Sequence, residues 1–196
     1  MSETKSKLKG RAPSEVSTGK VKGLIYGATG VGKSWFGLTF PTPYYVDTEG
    51  GAKLAQYQKR LKEVGGLYMG PAEGSLDFPT VIDQMEALAT EKHTFKTLLI
   101  DSISKLFQTC IANESEKLGD SDQYGASKKP AVRNMRRMIN WSMKLDMNIW
   151  FVAHESIEWG LDPKSKQRTE IGKMPDVWDK LPYELDLVLQ VQKRGN

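Results

Sequence analysis

Apolar residues gather in short runs, and longer amphipathic stretches separate those runs. Leu24-Ile25-Tyr26 ends at Gly27, Thr97-Leu98-Leu99-Ile100 ends at Asp101, and Ile149-Trp150-Phe151-Val152 lies within Asn148 to Ala153. Unbroken apolar runs of this length predict strands buried on both faces, the habit of a parallel sheet. Tyr44-Tyr45-Val46-Asp47, closed by Gly50-Gly51, predicts another strand, and Leu187 to Val191 a last one. Helices are predicted from Lys33 to about Phe40 (stopped by Pro41 and Pro43), from Lys53 to Val64, from Pro79 to Thr90 and from Ser104 to Lys117. A fifth starts at Pro130, which suits a first turn, and runs to about Lys144 with Met135, Met138, Ile139 and Ser142 on one face. Gly119 to Lys129 predicts a loop and His154 to Pro182 a long polar connection. Strands alternating with helices imply an α/β fold, a mainly parallel sheet covered by helices on both faces.

Composition narrows the class. The length of 196 residues suits one domain, and 39% apolar with 27% charged residues suits a globular protein. Residues 1–20, rich in Lys, Ser, Thr and Glu, predict a disordered arm ahead of a core over 21–196. No apolar run approaches the roughly 20 residues that span a bilayer, so no membrane partner is expected. Cys110 is the single cysteine, which excludes an internal disulfide and points to a reducing, cytoplasmic compartment. A net charge of +4 permits a polyanionic partner without requiring one.

The chemistry concentrates at Gly27-Ala28-Thr29-Gly30-Val31-Gly32-Lys33-Ser34, which meets the pattern G-x-x-x-x-G-K-S between a strand and a helix. Glycines let backbone N–H groups converge on phosphate oxygens, and the helix that follows presents its positive end to the same anion. Lys33 is expected on the β- and γ-phosphates of ATP, and the Ser34 hydroxyl on Mg²⁺. Asp101, at the end of its strand, supplies the second metal-side acid where open α/β sheets bind ligands. Mg²⁺ keeps much of its water, so Asp101 is expected to act through water; the alternative is an N-cap for the next helix.

Hydrolysis also requires a group that polarises the attacking water. Ser102, directly after Asp101, cannot serve. Glu49, just beyond the second strand, is the candidate, and a solvent-exposed turn glutamate is the alternative; the residues alone leave both open. His154 follows the apolar run ending at Ala153 and is a candidate γ-phosphate sensor.

These segments together resemble the RecA-type recombinase ATPases. Asp47-Thr48-Glu49-Gly50 is similar to that family's D-T-E-G element, whose glutamate activates water, and Asp101-Ser102 to its metal-binding strand end. Ala153-His154-Glu155 departs from the family's usual Asn-Gln sensor. It looks more like the compact phage-encoded relatives, RecA-core single-strand annealing proteins and phage AAA-type nucleotide-binding proteins. The resemblance covers Leu24 to about Val191 and implies a RecA-like P-loop NTPase core. It also implies an ATPase that anneals or recombines single-stranded DNA, with ATP near the interfaces of a ring or filament of identical subunits. A single-stranded-DNA-binding protein is a further implied partner.

By position the resemblance also assigns DNA contact to Gly119–Lys129 with the helix after it, and to Glu155–Lys180. The first brings Lys128, Lys129, Arg133, Arg136 and Arg137, most of them on one helix face by i+3 and i+4 spacing. The second brings Lys164, Lys166 and Arg168 with Trp159, a mixture of cations and an aromatic that suits single strands; a polar hairpin or a subunit contact is the alternative. Two other classes stay open: a small-molecule kinase with Asp162–Lys173 as its lid, and an ATP-gated loader for a replication machine.

Overall fold

The computed structural model describes residues 19–71 and 76–194. Most of the predicted N-terminal arm therefore lies outside the described residues. In chain order the elements are β1 (Lys22–Gly27), α1 (Lys33–Gly37), β2 (Pro43–Asp47), α2 (Ala55–Glu63), β3 (Leu67–Met69), α3 (Phe78–Thr90), β4 (Thr97–Asp101), α4 (Ile103–Leu118), α5 (Lys128–Ser142), β5 (Asn148–Leu161), β6 (Arg168–Pro175) and β7 (Leu187–Gln190). The central sheet runs β3-β2-β4-β5-β1-β7, all parallel, and β6 pairs antiparallel with β5.

The buried strands are apolar on both faces because both faces are covered. Leu24, Val46, Leu98, Ile100, Ile149 and Phe151 face a large cluster with Val81, Ile82 and Met85 of α3, Ile103, Leu106 and Phe107 of α4, and Met135 and Met138 of α5. Their alternate neighbours Ile25, Tyr45, Leu99, Trp150 and Val152 face a smaller cluster with Leu38, Ala52 and Leu61, on the side of α1 and α2. Side chains of this kind contribute about 1.5–3 kcal/mol each on burial.

Several elements differ from expectation. α1 stops at Gly37 rather than near Phe40. Gly37 lies flush on the sheet, where a Cβ would come within 2.5 Å of Leu99 Cδ2. The following amides tighten onto i−3 carbonyls, Leu38 N to Trp35 O at 3.1 Å and Thr39 N to Phe36 O at 3.0 Å. β3 was not foreseen, since three residues are too few to show a period. In the polar stretch after His154 the structure takes the hairpin alternative. There β5 continues to Leu161 and turns into β6, forming a hairpin with a register shift at Glu158/Trp159.

The register aligns the chemistry. Asp47 pairs with Asp101 across β2 and β4, and Gly27 pairs with His154 across β1 and β5. The β1–α1 loop, Glu49, Asp101 and His154 thus share the C-terminal edge of the sheet.

Candidate functional site

The loop after β1 is shaped by its glycines. Gly30 and Gly32 adopt φ of 79° and 95°, left-handed values that an L side chain resists. A Cβ on Gly27 would sit 2.4 Å from the Val191 carbonyl oxygen, so the strand end admits only glycine. Among the described residues no acceptor meets the amides of Gly30, Val31, Gly32 or Lys33. Those bare N–H groups beside a buried ammonium form an anion cradle. Lys33 Nζ donates to the carbonyls of Gly27 (2.9 Å) and Ala28 (2.8 Å). Burial pushes its pKa down, while the charges of Asp101, Glu49 and Glu155 oppose that shift.

Ser34 and Asp101 meet directly, the Ser34 hydroxyl donating to Asp101 Oδ2 at 2.5 Å. Tyr45 on β2 donates its phenol to the same oxygen at 2.6 Å. Burial raises the Asp101 pKa above its ordinary value, and the two hydroxyl donors oppose that rise. One hydroxyl and one carboxylate beside an anion cradle fit Mg²⁺, which takes few protein ligands and completes its octahedron with phosphate oxygens and water. The cradle and this pair therefore fit Mg·ATP. The N-cap of α4 is Ser102, not Asp101: its Oγ accepts from Lys105 N at 3.1 Å.

Glu49 is presented by a turn that Asp47 builds. The Asp47 carboxylate accepts from the amides of Glu49 (3.1 Å), Gly50 (2.7 Å) and Ala52 (2.8 Å) and from the Tyr68 hydroxyl (3.0 Å). Thr48 ties this turn to β4, its amide donating to Asp101 O at 2.7 Å and its Oγ1 accepting from Ser102 N at 2.8 Å. Glu49 Oε1 then accepts from the Ser102 hydroxyl and pairs with His154 Nε2 at 2.6 Å. Burial raises the Glu49 pKa, but the Ser102 and His154 hydrogen bonds and the nearby positive charge outweigh it and leave the carboxyl below its ordinary range. His154 is fixed through its backbone, its amide donating to Ser104 Oγ at 3.0 Å and its carbonyl accepting from Asp176 N at 2.8 Å.

The structure thus brings Gly27–Ser34, Glu49, Asp101 and His154 to one mouth. Sequence reasoning missed Tyr45, Ser102 and Ser104 as partners there. Only Ser102 carried a signal, as the residue beside Asp101 where a base was sought.

The basic candidates form two groups. Lys128, Lys129, Arg133, Arg136 and Arg137 line one groove of about 580 Å³ together with the fully exposed Tyr124. Of these, Arg136 has its guanidinium over the ring of Trp178, 5.3 Å from the centroid. Lys164 and Lys166 sit in the turn of the β5–β6 hairpin, and Arg168 stacks over the half-exposed Trp159 at 4.9 Å. Lys173 on β6 is taken up by Glu170 at 2.8 Å.

No helix among the described residues is long and apolar enough to cross a membrane. A search of curated proteins gives no match for this sequence. Among solved structures, the crystal structure of the RadB recombinase matches over 87% of this chain and 73% of that one. The TM-score is 0.52 and the identity 16%, which shows a shared fold. A family model described as an AAA domain matches residues 19–196. With nearly its whole length under that match and a RecA-like P-loop ATPase fold, the chain belongs to the AAA-domain family.

Proposed function

We propose that this chain is a Mg²⁺-dependent ATPase that assembles on single-stranded DNA and promotes annealing or recombination. The observation that carries the reading is the contact of Glu49 with Ser102 and His154 at the mouth shared by Lys33 and Asp101. Acids from two neighbouring strand ends then flank the place where the cradle would hold a terminal phosphate.

The loop amides and Lys33 bind the phosphates, and Ser34 with Asp101 holds the metal. Bound Mg²⁺ supplies positive charge that offsets developing negative charge on the phosphate oxygens. Glu49 orients the attacking water and accepts its proton. Its Oε1 is engaged by Ser102 and His154, and Oε2, which meets no donor among the described residues, is the oxygen left to accept from the attacking water in this reading. His154 lies where β5 leaves the central sheet for the hairpin, so its contact with a terminal phosphate reaches the hairpin directly.

The α5 groove and the hairpin are the DNA-contacting surfaces in this reading. The groove offers cations along a helix with an exposed tyrosine at one end, and the hairpin offers an Arg-stacked tryptophan with two lysines at its turn. Both suit phosphate pairing with sequence-tolerant base stacking. The fold neighbour's designation as a recombinase agrees. Exposed Trp35 and Phe36 on α1, next to the cradle, suit a neighbouring subunit in a homo-oligomer.

The test is phosphate release by the full chain with and without single-stranded DNA, over a salt series. Stimulation by DNA that falls steeply with salt is expected. Phosphate transfer to a small acceptor, without DNA stimulation, would favour a small-molecule kinase. Turnover that depends on a helicase or polymerase would favour a loader.

A further inference from the structure

The buried phenol of Tyr45 is a candidate for tuning the metal site from behind. Its side chain is 1% exposed, and its ring lies near-parallel to Tyr68 at 6.4 Å between centroids. The hydroxyl reaches across from β2 to β4 and donates to Asp101 Oδ2 at 2.6 Å, the oxygen that also accepts from Ser34 at 2.5 Å. The strand register explains why this pairing forms. Asp47 lies opposite Asp101, so Tyr45, two residues earlier, shares its face of the sheet with the smaller core cluster and points along β4 toward the acid.

The two donors differ in what else they do when a metal is held. A serine hydroxyl ligates a cation through an oxygen lone pair and keeps its proton, so Ser34 can hold the ion and still donate to Oδ2, with its position then tied to the ion. Tyr45 donates to the same oxygen from the buried sheet and lies behind the carboxylate, not among the metal's ligands. We propose that Tyr45 is a positioning residue for metal binding. In that role it fixes the Asp101 carboxylate in one orientation, with Oδ2 anchored on the phenol, so that the acid would be held ready on the metal side. This rests on the Mg²⁺-dependent ATPase reading above. The chemistry is the general one in which an outer hydrogen bond orients a ligating carboxylate, and its loss typically lowers metal affinity or activity 10–100-fold.

The test uses the full chain with Tyr45→Phe, which deletes one oxygen and keeps the ring's packing. Two quantities are read: the Mg²⁺ concentration that half-saturates ATP turnover, and the affinity for ATP in excess EDTA. Tyr45→Phe is expected to raise the Mg²⁺ half-saturation about tenfold and to leave metal-free ATP affinity unchanged. Tyr68→Phe, which removes a neighbouring phenol that bonds Asp47 instead, is expected to leave the Mg²⁺ half-saturation in place. Thermal melts of both variants verify that each is folded. An unmoved Mg²⁺ half-saturation in Tyr45→Phe overturns the proposal, and so does an equal loss of metal-free ATP affinity, which marks a merely structural role. Asp101→Asn separates the two levels. If it moves the Mg²⁺ half-saturation while Tyr45→Phe does not, only the Tyr45 role falls. If neither moves it, the metal assignment falls with it.

Discussion

Glu49→Gln is the most discriminating perturbation of the catalytic assignment. The exchange is isosteric and leaves an amide oxygen able to accept from Ser102 and His154, the two donors on Oε1. Hydrogen bonds to a charged acceptor are each worth about 1.5–3 kcal/mol and those to a neutral one about 0.5–1.5 kcal/mol, so the side chain is held less firmly but keeps its partners. What vanishes is the basic oxygen that takes a proton from water. A positioned general base contributes about 10²–10⁴ in rate, a barrier increase of about 2.7–5.4 kcal/mol. ATP binding is expected to hold or tighten, because one of the acids around Lys33 loses its charge next to an incoming polyanion. The assay pairs steady-state phosphate release with equilibrium binding of a fluorescent ATP analogue in Mg²⁺. Turnover within threefold of the parent, with binding intact, would refute the assignment and return Glu49 to an ordinary turn residue.

Other perturbations test separate links. Lys33→Ala is expected to abolish measurable ATP binding without unfolding the chain, read by equilibrium binding and a thermal melt. Asp101→Asn is expected to raise the melting temperature of the metal-free protein at neutral pH. The Asp101 pKa is raised in the fold, so its ionisation destabilises the native state above that pKa; the advantage of the amide should fade as pH falls and the parent carboxyl protonates. No gain in Asp101→Asn at neutral pH, or a gain that grows on acidification, would contradict that sign. Ser102→Ala should move the acid limb of turnover to higher pH, because the bond that depresses the Glu49 pKa is gone; a pH–rate profile reads it. Arg133→Ala with Arg137→Ala should flatten the log–log salt dependence of single-strand binding by about 0.7 per cation removed, and an unchanged slope would take the α5 groove out of the DNA-binding account.

The fold and the site were legible to different degrees, for physical reasons. The β1–α1 loop could be read because phosphate binding dictates both its glycines and their spacing. The place of Asp101 at the sheet edge could be read because the apolar run before it marks a buried strand that ends there. Glu49 was an even choice on its own chemistry and was singled out through the D-T-E-G resemblance. The structure explains the motif: Asp47 is consumed in holding the turn, which leaves Glu49 as the projecting acid. Tyr45 was hidden because a tyrosine in a buried strand reads as core, and its polar tip is invisible until the register places Asp101 beside it. The β5–β6 hairpin stayed only one of the alternatives open for Glu155–Lys180, for the opposite reason. Ile157, Trp159 and Leu161 alternate with Glu158 and Gly160, but the ribbon is largely exposed and densely charged, so its composition reads as loop.

The central claim is that Glu49 and Asp101, from adjacent strand ends, flank the terminal phosphate of a nucleotide lying on the loop amides. A crystal structure of the full chain with Mg²⁺ and a non-hydrolysable ATP analogue tests it directly. The account predicts phosphate oxygens on the amides of Gly30 to Lys33, the metal on Ser34, and Glu49 Oε2 facing a water in line with the terminal phosphorus. A nucleotide bound with Glu49 turned to bulk solvent, or with Asp101 remote from the metal, would contradict it.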